Sequence, residues 1–227
     1  MLPIKLTTGN TTGITPPPPH LLFIRTAPTF SFSRIEYFSL EMTKAQRLRY
    51  QVYCLEKKFL DAASYPDGRE YDEHDRHCLQ IVAQDFDQEI IGTIRLISDS
   101  PAGFPFLSHC GGKLYPGLEY ILGEKTAEVS RLVIDKRYRC FGTDKTKDQN
   151  QYPVILFGMF RQMYEASIQI GIRYWVAAME PRLARMLRFY GFVFKPIGES
   201  TDYFGEVRPY IGDLRELETS RIWVESF

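Results

Sequence analysis

The chain has 227 residues, enough for one domain with a sizeable hydrophobic core. Its 28 Lys and Arg balance its 28 Asp and Glu, so no overall basic field indicates nucleic acid binding. No apolar run reaches the roughly 18 residues of a membrane-spanning helix, and the N-terminus lacks a signal-peptide pattern, so we expect a soluble, cytoplasmic protein without a membrane span.

Four widely spaced cysteines form no Cys-x-x-Cys pair: Cys54, Cys78, Cys110 and Cys140. This spacing argues against a disulfide framework or zinc finger and fits a reducing cytosol. The remaining candidate metal ligands are His74, His77 and His109. Their spacing relative to the cysteines is not that of a standard zinc site, so we predict no metal.

Residues 1–30 are rich in Thr, Gly and Pro and contain four consecutive prolines, Pro16 to Pro19. This composition favours an extended polyproline-like arm over packed structure. We therefore predict a flexible N-terminal arm followed by one domain over residues 31–227.

Alternating aromatic and polar residues predict a first strand from Arg34 to Leu40. Thr43-Lys-Ala-Gln46 has the form of a capping box and opens an amphipathic helix of about four turns. The apolar residues of this helix recur at helical spacing: Ala45, Leu48, Val52, Leu55 and Phe59. A turn, Tyr65-Pro66-Asp67-Gly68, and an acidic run over residues 70–75 follow.

Two strands, Cys78 to Phe86 and Glu89 to Ser98, are predicted to form a hairpin at Asp87-Gln88. Residues 99–124 contain Gly, Pro and Ser with little periodicity, which is typical of a long binding loop or lid.

The segment from Lys125 to Ile134 has the apolar, β-branched character of a strand buried on both faces. Glu128, Ser130 and Arg131 interrupt it. A buried carboxylate and guanidinium are costly unless they are paired or border a wet cleft. On a regular strand residues 128 and 131 point to opposite faces, so we predict a β-bulge beside an active cleft.

The later elements are a helix from Pro153 to Gly171, a strand from Ile172 to Met179 and a basic helix from Pro181 to Tyr190. Two strands near Phe192 to Ile197 and Tyr203 to Ile211 complete the chain. This order predicts an α/β fold, a central mixed β-sheet with helices on both faces.

Four charged motifs occur in a fixed order: Arg49-x-x-Val-Tyr53, Glu70-x-Asp72-x-x-Asp75, Gly92-Thr-Ile-Arg95-Leu and Glu128-x-Ser130-Arg131. Together they resemble the acyl-homoserine lactone synthases, or autoinducer synthases, an acyltransferase branch of the GNAT superfamily. The resemblance covers about residues 45 to 135 and implies a GNAT-like (acyl-CoA N-acyltransferase) fold.

The second half of the chain is more similar to N-acyl amino acid synthases and, above all, to the acyltransferases associated with PEP-CTERM and exosortase gene clusters. The segments that carry this resemblance are residues 179–185, Ile197-Gly198-Glu199 and Arg208-Pro209-Tyr210.

Two positions depart from the GNAT pattern. Leu187 stands where these enzymes commonly have a general-acid Tyr, and Tyr190 is adjacent to Gly191 instead. The pyrophosphate loop is reduced to Arg139-Cys-Phe-Gly142-Thr-Asp144. Because a pyrophosphate normally lies on backbone N–H groups at a helix start, this loop favours an acyl carrier protein over coenzyme A as the acyl donor.

The resemblance implies transfer of a fatty acyl group from a thioester to the amine of an amino acid or similar small acceptor. No tightly bound cofactor is expected, since the phosphopantetheine thioester of acyl carrier protein, or acyl-CoA, is a co-substrate. Two alternatives stay open: an autoinducer synthase that uses S-adenosylmethionine, and a non-catalytic GNAT-fold module that binds an acyl ligand or its carrier.

Glu128 is the candidate general base, acting directly or through one water, because apolar surroundings push the pKa of a carboxyl group toward neutrality. Ser130 and Arg131 complete the predicted catalytic group. The alternative is that Glu128 is half of a structural network with Arg131 or Arg95.

Five residues are predicted to bind substrate: Arg49, Glu70, Asp72, Asp75 and Arg95. The three carboxylates could bind the ammonium of an acceptor or fix the two arginines in position. Arg95 could also bind an acceptor carboxylate, which matches the geometry of its guanidinium.

Basic residues beyond the central strand suit an acidic acyl carrier protein: Arg137, Arg139, Lys145 and Lys147, together with Arg182, Arg185 and Arg188. A solvated basic face is the alternative. Four aromatic side chains are predicted to line an acyl pocket: Phe104, Phe106, Phe157 and Phe160. The helical spacing of Phe157 and Phe160 also fits residues of the hydrophobic core. Cys54 is likewise interpreted as a core residue.

Overall fold

The computed structural model describes residues 30–98, 100–110, 114–118, 123, 125–139, 151–203 and 205–218. The predicted N-terminal arm and two of the predicted carrier-docking residues, Lys145 and Lys147, lie outside the described residues.

In the part of the chain that the structure describes, eight strands form the sheet: β1 (Ser31–Ile35), β2 (Cys78–Gln84), β3 (Ile90–Ile97), β4 (Thr126–Ile134), β5 (Tyr174–Met179), β6 (Lys195–Pro196), β7 (Thr201–Asp202) and β8 (Glu206–Asp213). Their order is β1-β2-β3-β4-β5-β8-β6, and β7 pairs with β8. All pairs are antiparallel except the central pair β4 and β5, which is parallel.

Within the described residues, five helices accompany the sheet: α1 (Leu40–Tyr50), α2 (Pro105–Cys110), α3 (Gln151–Gln169), α4 (Pro181–Phe189) and α5 (Leu214–Glu218). A π-helical segment, Gln51–Glu56, continues α1, and a 3-10 turn, Glu73–His77, precedes β2. The helix α3 connects β4 to β5, as a parallel pair requires.

The main core lies between the sheet and the helices α3, α4 and α5, where Trp175, Phe160 and Met159 are buried. The helices α1 and α2 cover the opposite face of the sheet. Leu48 of α1 is in one buried cluster with Val133 of β4, and Phe106 of α2 is in another with Val176 of β5. The predicted mixed α/β sheet with helices on both faces is confirmed.

The first strand and the first helix begin earlier than predicted. The strand is Ser31–Ile35, and Ser39, not Thr43, caps α1, its Oγ accepting from Met42 N at 3.0 Å. Both sites offer a hydroxyl before a helical run, so the local pattern does not choose between them. Gln46 is engaged elsewhere, because its side chain donates to Asp75 at 3.3 Å.

The segment predicted as a structureless loop contains α2. Its apolar residues Phe106 and Cys110 are buried against Val176 and Ile197. The helix is only six residues long, too short to produce a clear periodic signal in the sequence.

A close contact joins α3 to the edge strand β1 at Gly158. A Cβ built on Gly158 would overlap the ring of Phe32. Gly to Ala inside a helix ordinarily stabilises by up to about 1 kcal/mol. Here we expect Gly158→Ala to lower the free energy of unfolding by about 1 to 3 kcal/mol, because the ring must be displaced.

Urea unfolding in two backgrounds tests this contact. In a Phe32→Ala background the same Gly158→Ala substitution should be neutral or stabilising, because the overlap is gone. An equal loss in both backgrounds would show that the contact with Phe32 is not the cause.

Candidate active site

The centre of the site is a β-bulge in β4. Thr93 pairs with Val133 and Arg95 with Ser130, so two steps along β3 face three steps along β4. Arg131 has a φ of 54°, a left-handed conformation that is uncommon for a residue other than Gly. The bulge predicted from the charged residues in this strand is therefore present.

The bulge places consecutive polar side chains on one face of the sheet. Ser130 faces the side covered by α1 and α2, where its Oγ accepts from Arg95 Nε at 3.0 Å. Arg131 turns to the same side and donates to Glu70. Without the extra residue Arg131 would point into the core beneath α3.

The strands β4 and β5 separate directly beyond Glu128. Their backbone pairing extends only from Thr126 to Glu128 on β4 and from Tyr174 to Val176 on β5. Farther along, β4 pairs with β3 alone and β5 with β8 alone. The edges of β4 and β5 that face each other beyond Glu128 therefore have backbone groups without a partner strand.

Glu128 is buried, with 3% of its surface exposed. Its Oε2 accepts from the backbone N–H of Phe106 at 2.9 Å. Phe106 lies in the first turn of α2, where N–H groups have no partner within the helix. The ion pairs among the described residues do not include Glu128, so it is not paired with Arg95 or Arg131.

Burial raises the pKa of Glu128 to about 7. The hydrogen bond from Phe106 and the positive charges of Arg95 and Arg131 oppose this shift but do not cancel it. A carboxyl group with this pKa is partly ionised at neutral pH, and its ionised form can act as a general base.

Six charged side chains next to Glu128 form a closed ring in which positive and negative groups alternate. In order around the ring, which we call the ionic ring, they are Arg49, Glu70, Arg131, Asp72, Arg95 and Asp75. The ring contains three guanidinium groups and three carboxylates, so the charges balance within it.

Two arginines of the ionic ring each contact two carboxylates through a single nitrogen. Arg95 Nη1 lies 2.5 Å from Asp72 Oδ1 and 2.7 Å from Asp75 Oδ1. Arg131 Nη2 lies 3.0 Å from Glu70 Oε1 and 3.0 Å from Asp72 Oδ2. Such charge-assisted contacts fix the position of each guanidinium.

Arg49 closes the ionic ring between Glu70 and Asp75. Its Nη1 lies 2.9 Å from Asp75 Oδ1, and its Nε donates to Glu70. Burial disfavours the charged form, but Glu70 and Asp75 together hold the pKa of Arg49 above its ordinary value. Asp72 is also buried in part, yet Arg95 and Arg131 keep its pKa well below the usual range.

Solvent reaches only one edge of the ionic ring. The side chains of Arg49, Glu70, Asp75 and Arg95 are fully buried. Arg131 is 21% exposed and Asp72 24% exposed. Of the predicted substrate-binding residues, only Asp72 is therefore open to a ligand, and the buried four hold Arg131 and Asp72 in place.

The ring of Tyr53 borders Arg131. The hydroxyl of Tyr53 donates to the carbonyl of Leu132, within the bulge, at 3.2 Å, and its ring centre lies 5.7 Å from the guanidinium carbon of Arg131. Tyr53 belongs to the π-helical segment, a type of distortion often found at functional sites.

A second tyrosine, Tyr203, is affected by the charge of Arg131, and the sequence did not indicate it. It lies in the turn between β7 and β8, where its N–H donates to Gly205 O at 2.9 Å. Burial raises its pKa, and the charges of Arg131, Asp72 and Glu128 also act on it. Its sequence position, far from β4, gives no signal, because only the folded sheet brings the turn to this site.

Two of the predicted carrier-docking residues, Arg137 and Arg139, are engaged within the chain. Arg137 lies 2.9 Å from Asp135, and Arg139 forms an ion pair with Glu56. The arginines of α4 differ. Arg182, Arg185 and Arg188 are exposed, α4 has no acidic residue, and no described residue forms an ion pair with them. We call these three the α4 arginines.

The four predicted acyl-pocket residues lie on opposite faces of the sheet. Phe104 and Phe106 belong to the cluster around α2, and their ring centres are 6.2 Å apart. Phe160 is buried in the main core and Phe157 packs against it. The sheet separates the two pairs, so they do not form one wall, and only the first pair is on the side of Glu128.

Leu187, at the position of the missing tyrosine, is buried in the main core. Among the described residues, no group of three or more His, Cys, Asp or Glu is arranged to hold a metal ion. None of the described helices has both the length and the apolar character needed to cross a membrane.

Comparisons with known proteins agree with this geometry. Residues 48–145 match the family model of the acetyltransferase (GNAT) domain, a range that includes all four charged motifs. A search of the curated proteins by sequence finds no match.

Several solved structures have a similar fold. The AHL synthase LasI has a TM-score of 0.64 and 19% identity over 87% of this chain and 93% of that chain. The CoA-dependent acyl-homoserine lactone synthase BjaI, solved with SAM and isopentyl-CoA, has a TM-score of 0.60 and 19% identity over 83% and 86% of the two chains. FeeM, an N-acyl amino acid synthase from uncultured soil microbes, has a TM-score of 0.58 and 16% identity over 87% and 98%. The GNAT-like fold predicted from the sequence is confirmed.

Proposed function

We propose that this protein is an N-acyltransferase that moves a fatty acyl group from a thioester to the amine of an amino acid or similar small acceptor. The observation that carries the proposal is Glu128. It is a buried carboxyl group outside every described ion pair, has a pKa near 7, and is located where β4 and β5 separate. The family model and the fold both support an acyl-transferring enzyme.

The gap between β4 and β5 is the proposed site of the thioester arm. Phosphopantetheine contains two amide groups, and the unpaired backbone of β4 beyond Glu128 offers donors and acceptors for them. Since Glu128 is buried and bound by the N–H of Phe106, entry of the arm requires displacement of α2. Phe104 and Phe106 then border the acyl chain on the side of Glu128.

In the proposed reaction Glu128 accepts a proton from the acceptor amine as the nitrogen attacks the thioester carbonyl. Arg131 and Ser130 contribute to the reaction by holding groups of the site in position. Ser130 holds Arg95 at 3.0 Å, and Arg95 with its carboxylates fixes Arg131 beside the reacting groups. No covalent intermediate on the enzyme is needed.

An acyl carrier protein is the proposed donor, with acyl-CoA as the alternative. The α4 arginines support this choice, because three exposed arginines outside every described ion pair suit the acidic surface of a carrier. The helix α4 directly follows β5, one of the two strands that border the gap.

Reversing the charge of the α4 arginines tests the donor. We expect Arg182→Glu combined with Arg185→Glu to raise the KM for an acyl carrier thioester about tenfold or more at low salt. The KM for an acyl-pantetheine thioester, which lacks the protein, should not change. Arg47→Glu, at an exposed position on α1, is the matched control. An equal change with both donors would exclude a docking role for α4.

An autoinducer synthase is the second candidate function, favoured by the similarity of the fold to LasI and BjaI. It would acylate the amine of S-adenosylmethionine and release a lactone.

The finer assignment to PEP-CTERM and exosortase systems depends on the motifs of the second half, and exosortase genes next to this one would support it.

One assay separates these functions. The pure protein is incubated with acyl carrier thioesters and acyl-CoA of several chain lengths, pooled amino acids and S-adenosylmethionine, and products are identified by mass spectrometry. N-acyl amino acids support the main proposal and lactones the second. Carrier binding without any loss of thioester would indicate a non-catalytic module and overturn both.

A further inference from the structure

The bulge in β4 leaves part of that strand without regular pairing. Two residues of the bulge, Arg131 and Leu132, together face a single residue of β3. On the other side of the strand, the pairing of β4 with β5 ends at Glu128. The backbone of the bulge therefore needs side chains for part of its hydrogen bonding.

The hydroxyl of Tyr53 supplies one of these hydrogen bonds. It donates to the carbonyl of Leu132 at 3.2 Å, and the ring centre of the same tyrosine lies 5.7 Å from the guanidinium carbon of Arg131. Tyr53 thus contacts both residues of the bulge. It holds Leu132 by the backbone and borders Arg131 at the side chain.

Arg131 has a backbone conformation that needs such support. Its φ of 54° is left-handed, which the Cβ of a residue other than Gly disfavours. A residue stays in such a conformation only where its surroundings fix it. Glu70 and Asp72 fix the side chain of Arg131, and the hydroxyl of Tyr53 fixes the backbone of the next residue.

Tyr53 is itself held in place. It belongs to the π-helical segment that continues α1, and its ring stacks on that of Phe59 with the ring centres 6.4 Å apart. Its backbone carbonyl also accepts from the N–H of Phe59 at 2.8 Å. One turn earlier in the chain, Arg49 binds two carboxylates of the ionic ring. One helical stretch therefore fixes both the ionic ring and the bulge.

We infer that Tyr53 is a positioning residue for the proposed reaction: its hydroxyl holds the bulge and thereby keeps the guanidinium of Arg131 in contact with Glu70 and Asp72. The inference rests on the proposed function and adds a residue to it. Without this hydrogen bond the backbone at the bulge can relax toward negative φ, the region that residues other than Gly prefer. Arg131 then turns away from the ionic ring, because a strand without the bulge directs this side chain to the other face.

The hydroxyl of Tyr53 is not at the same time an acid or a base of the reaction. It has a single proton, which the bond to Leu132 uses. Burial raises the pKa of Tyr53 above its ordinary value, so the hydroxyl keeps this proton at neutral pH. Tyr53 therefore acts through Arg131 and not on the substrate.

Tyr53→Phe removes the hydroxyl, keeps the ring and so tests this role directly. We expect kcat for acyl transfer to fall about 10- to 100-fold, because a small displacement of a positioned group costs much of the rate. The KM values should stay within about twofold of the wild type. The pH at which kcat/KM levels off should not move, since Glu128 is unchanged.

Tyr138→Phe is the matched control. The hydroxyl of Tyr138 also makes a partly buried hydrogen bond of 3.2 Å, to Asp85, beyond the end of β4. Each variant loses one such bond, so each should lower Tm by no more than about 2 to 4 °C. Tyr138→Phe should leave kcat unchanged.

Hydrogen exchange reports on the bulge without any turnover. In Tyr53→Phe the backbone amides of residues 131–133, followed by mass spectrometry of β4 peptides, should exchange about tenfold faster or more than in the wild type. In Tyr138→Phe their exchange should not change.

A double-mutant cycle establishes whether Tyr53 acts through Arg131. In an Arg131→Gln background, Tyr53→Phe should lower kcat by less than about twofold, because no guanidinium is left to position. Equal losses in the two backgrounds would overturn the inference. The exchange measurement does not need this background, so it decides the role of the hydroxyl even if Arg131→Gln does not fold.

The outcomes separate this inference from the proposed function. Equal exchange of the β4 amides in Tyr53→Phe and Tyr138→Phe would overturn it, since the hydroxyl would then not hold the bulge. Faster exchange with an unchanged kcat would overturn the positioning role and leave the acyltransferase intact. Absence of acyl transfer by the wild-type protein would overturn the proposed function, and the exchange rates would still decide whether Tyr53 holds the bulge.

Discussion

Glu128→Gln is expected to lower kcat for acyl transfer about 10²- to 10⁴-fold, the usual contribution of a general base. The shape of the site is kept, because the amide oxygen of Gln can still accept from the N–H of Phe106. The rate of transfer is measured with acyl carrier thioester and the preferred amino acid at pH 8. Circular dichroism establishes that the variant is folded.

The pH dependence of the wild-type enzyme follows from the same carboxyl group. Burial raises the pKa of Glu128 to about 7, and only the ionised form accepts a proton. We therefore expect kcat/KM to rise with pH and to level off above about 7. A profile that stays flat from pH 5 to 9 would remove Glu128 from the role of base.

The same substitution should increase stability at high pH. A folded-state pKa above the ordinary value means that the folded protein binds the additional proton, so the free energy of unfolding falls as the pH rises from about 4.5 to about 7. The free energy of unfolding of Glu128→Gln does not fall in this way, because the amide does not titrate. At pH 8 we expect Glu128→Gln to be more stable than the wild type by up to about 3 kcal/mol, and at pH 4 the difference should vanish.

This combination of lost activity and gained stability separates a catalytic carboxyl group from a structural one. If Glu128 were a bracing residue, its replacement would lower activity and stability together at every pH. Glu165→Gln is the matched control, because Glu165 is a partly exposed carboxyl group in a surface pair with Arg161. Glu165→Gln should change neither the rate of acyl transfer nor the free energy of unfolding.

The sequence predicted those parts of the fold whose signal is local. The apolar run of β4, interrupted by Glu128 and Arg131, predicted both a buried strand and its bulge, because burial and strand periodicity leave few other solutions. The helix α3 was equally clear from its 3.6-residue period. These features depend only on residues next to one another in the chain.

Features that depend on distant residues were not predictable in the same way. The hydrogen bond from Phe106 to Glu128 joins α2 to β4 across 22 positions, so no cap near α2 in the sequence marks its start. The register that places Arg95 opposite Ser130 decides which charged groups meet. The motifs indicated the members of the ionic ring, but not its closure, nor that only Arg131 and Asp72 are accessible.

The ionic ring also yields the largest expected loss of stability. Arg49→Met keeps the approximate volume of the side chain but removes the charge between Glu70 and Asp75, both of which are fully buried. Breaking a buried ion pair leaves an uncompensated charge, so we expect the free energy of unfolding to fall by about 3 to 5 kcal/mol. Urea unfolding at pH 7 measures the change.

A second substitution distinguishes lost compensation from lost packing. In Arg49→Met combined with Glu70→Gln, two guanidinium groups again face two carboxylates, so part of the stability should return and the two effects should not add. The surface pair of Arg161 and Glu165 is again the control. Arg161→Met should lower the free energy of unfolding by less than about 0.5 kcal/mol. Strictly additive losses would mean that Arg49 stabilises the protein by packing alone.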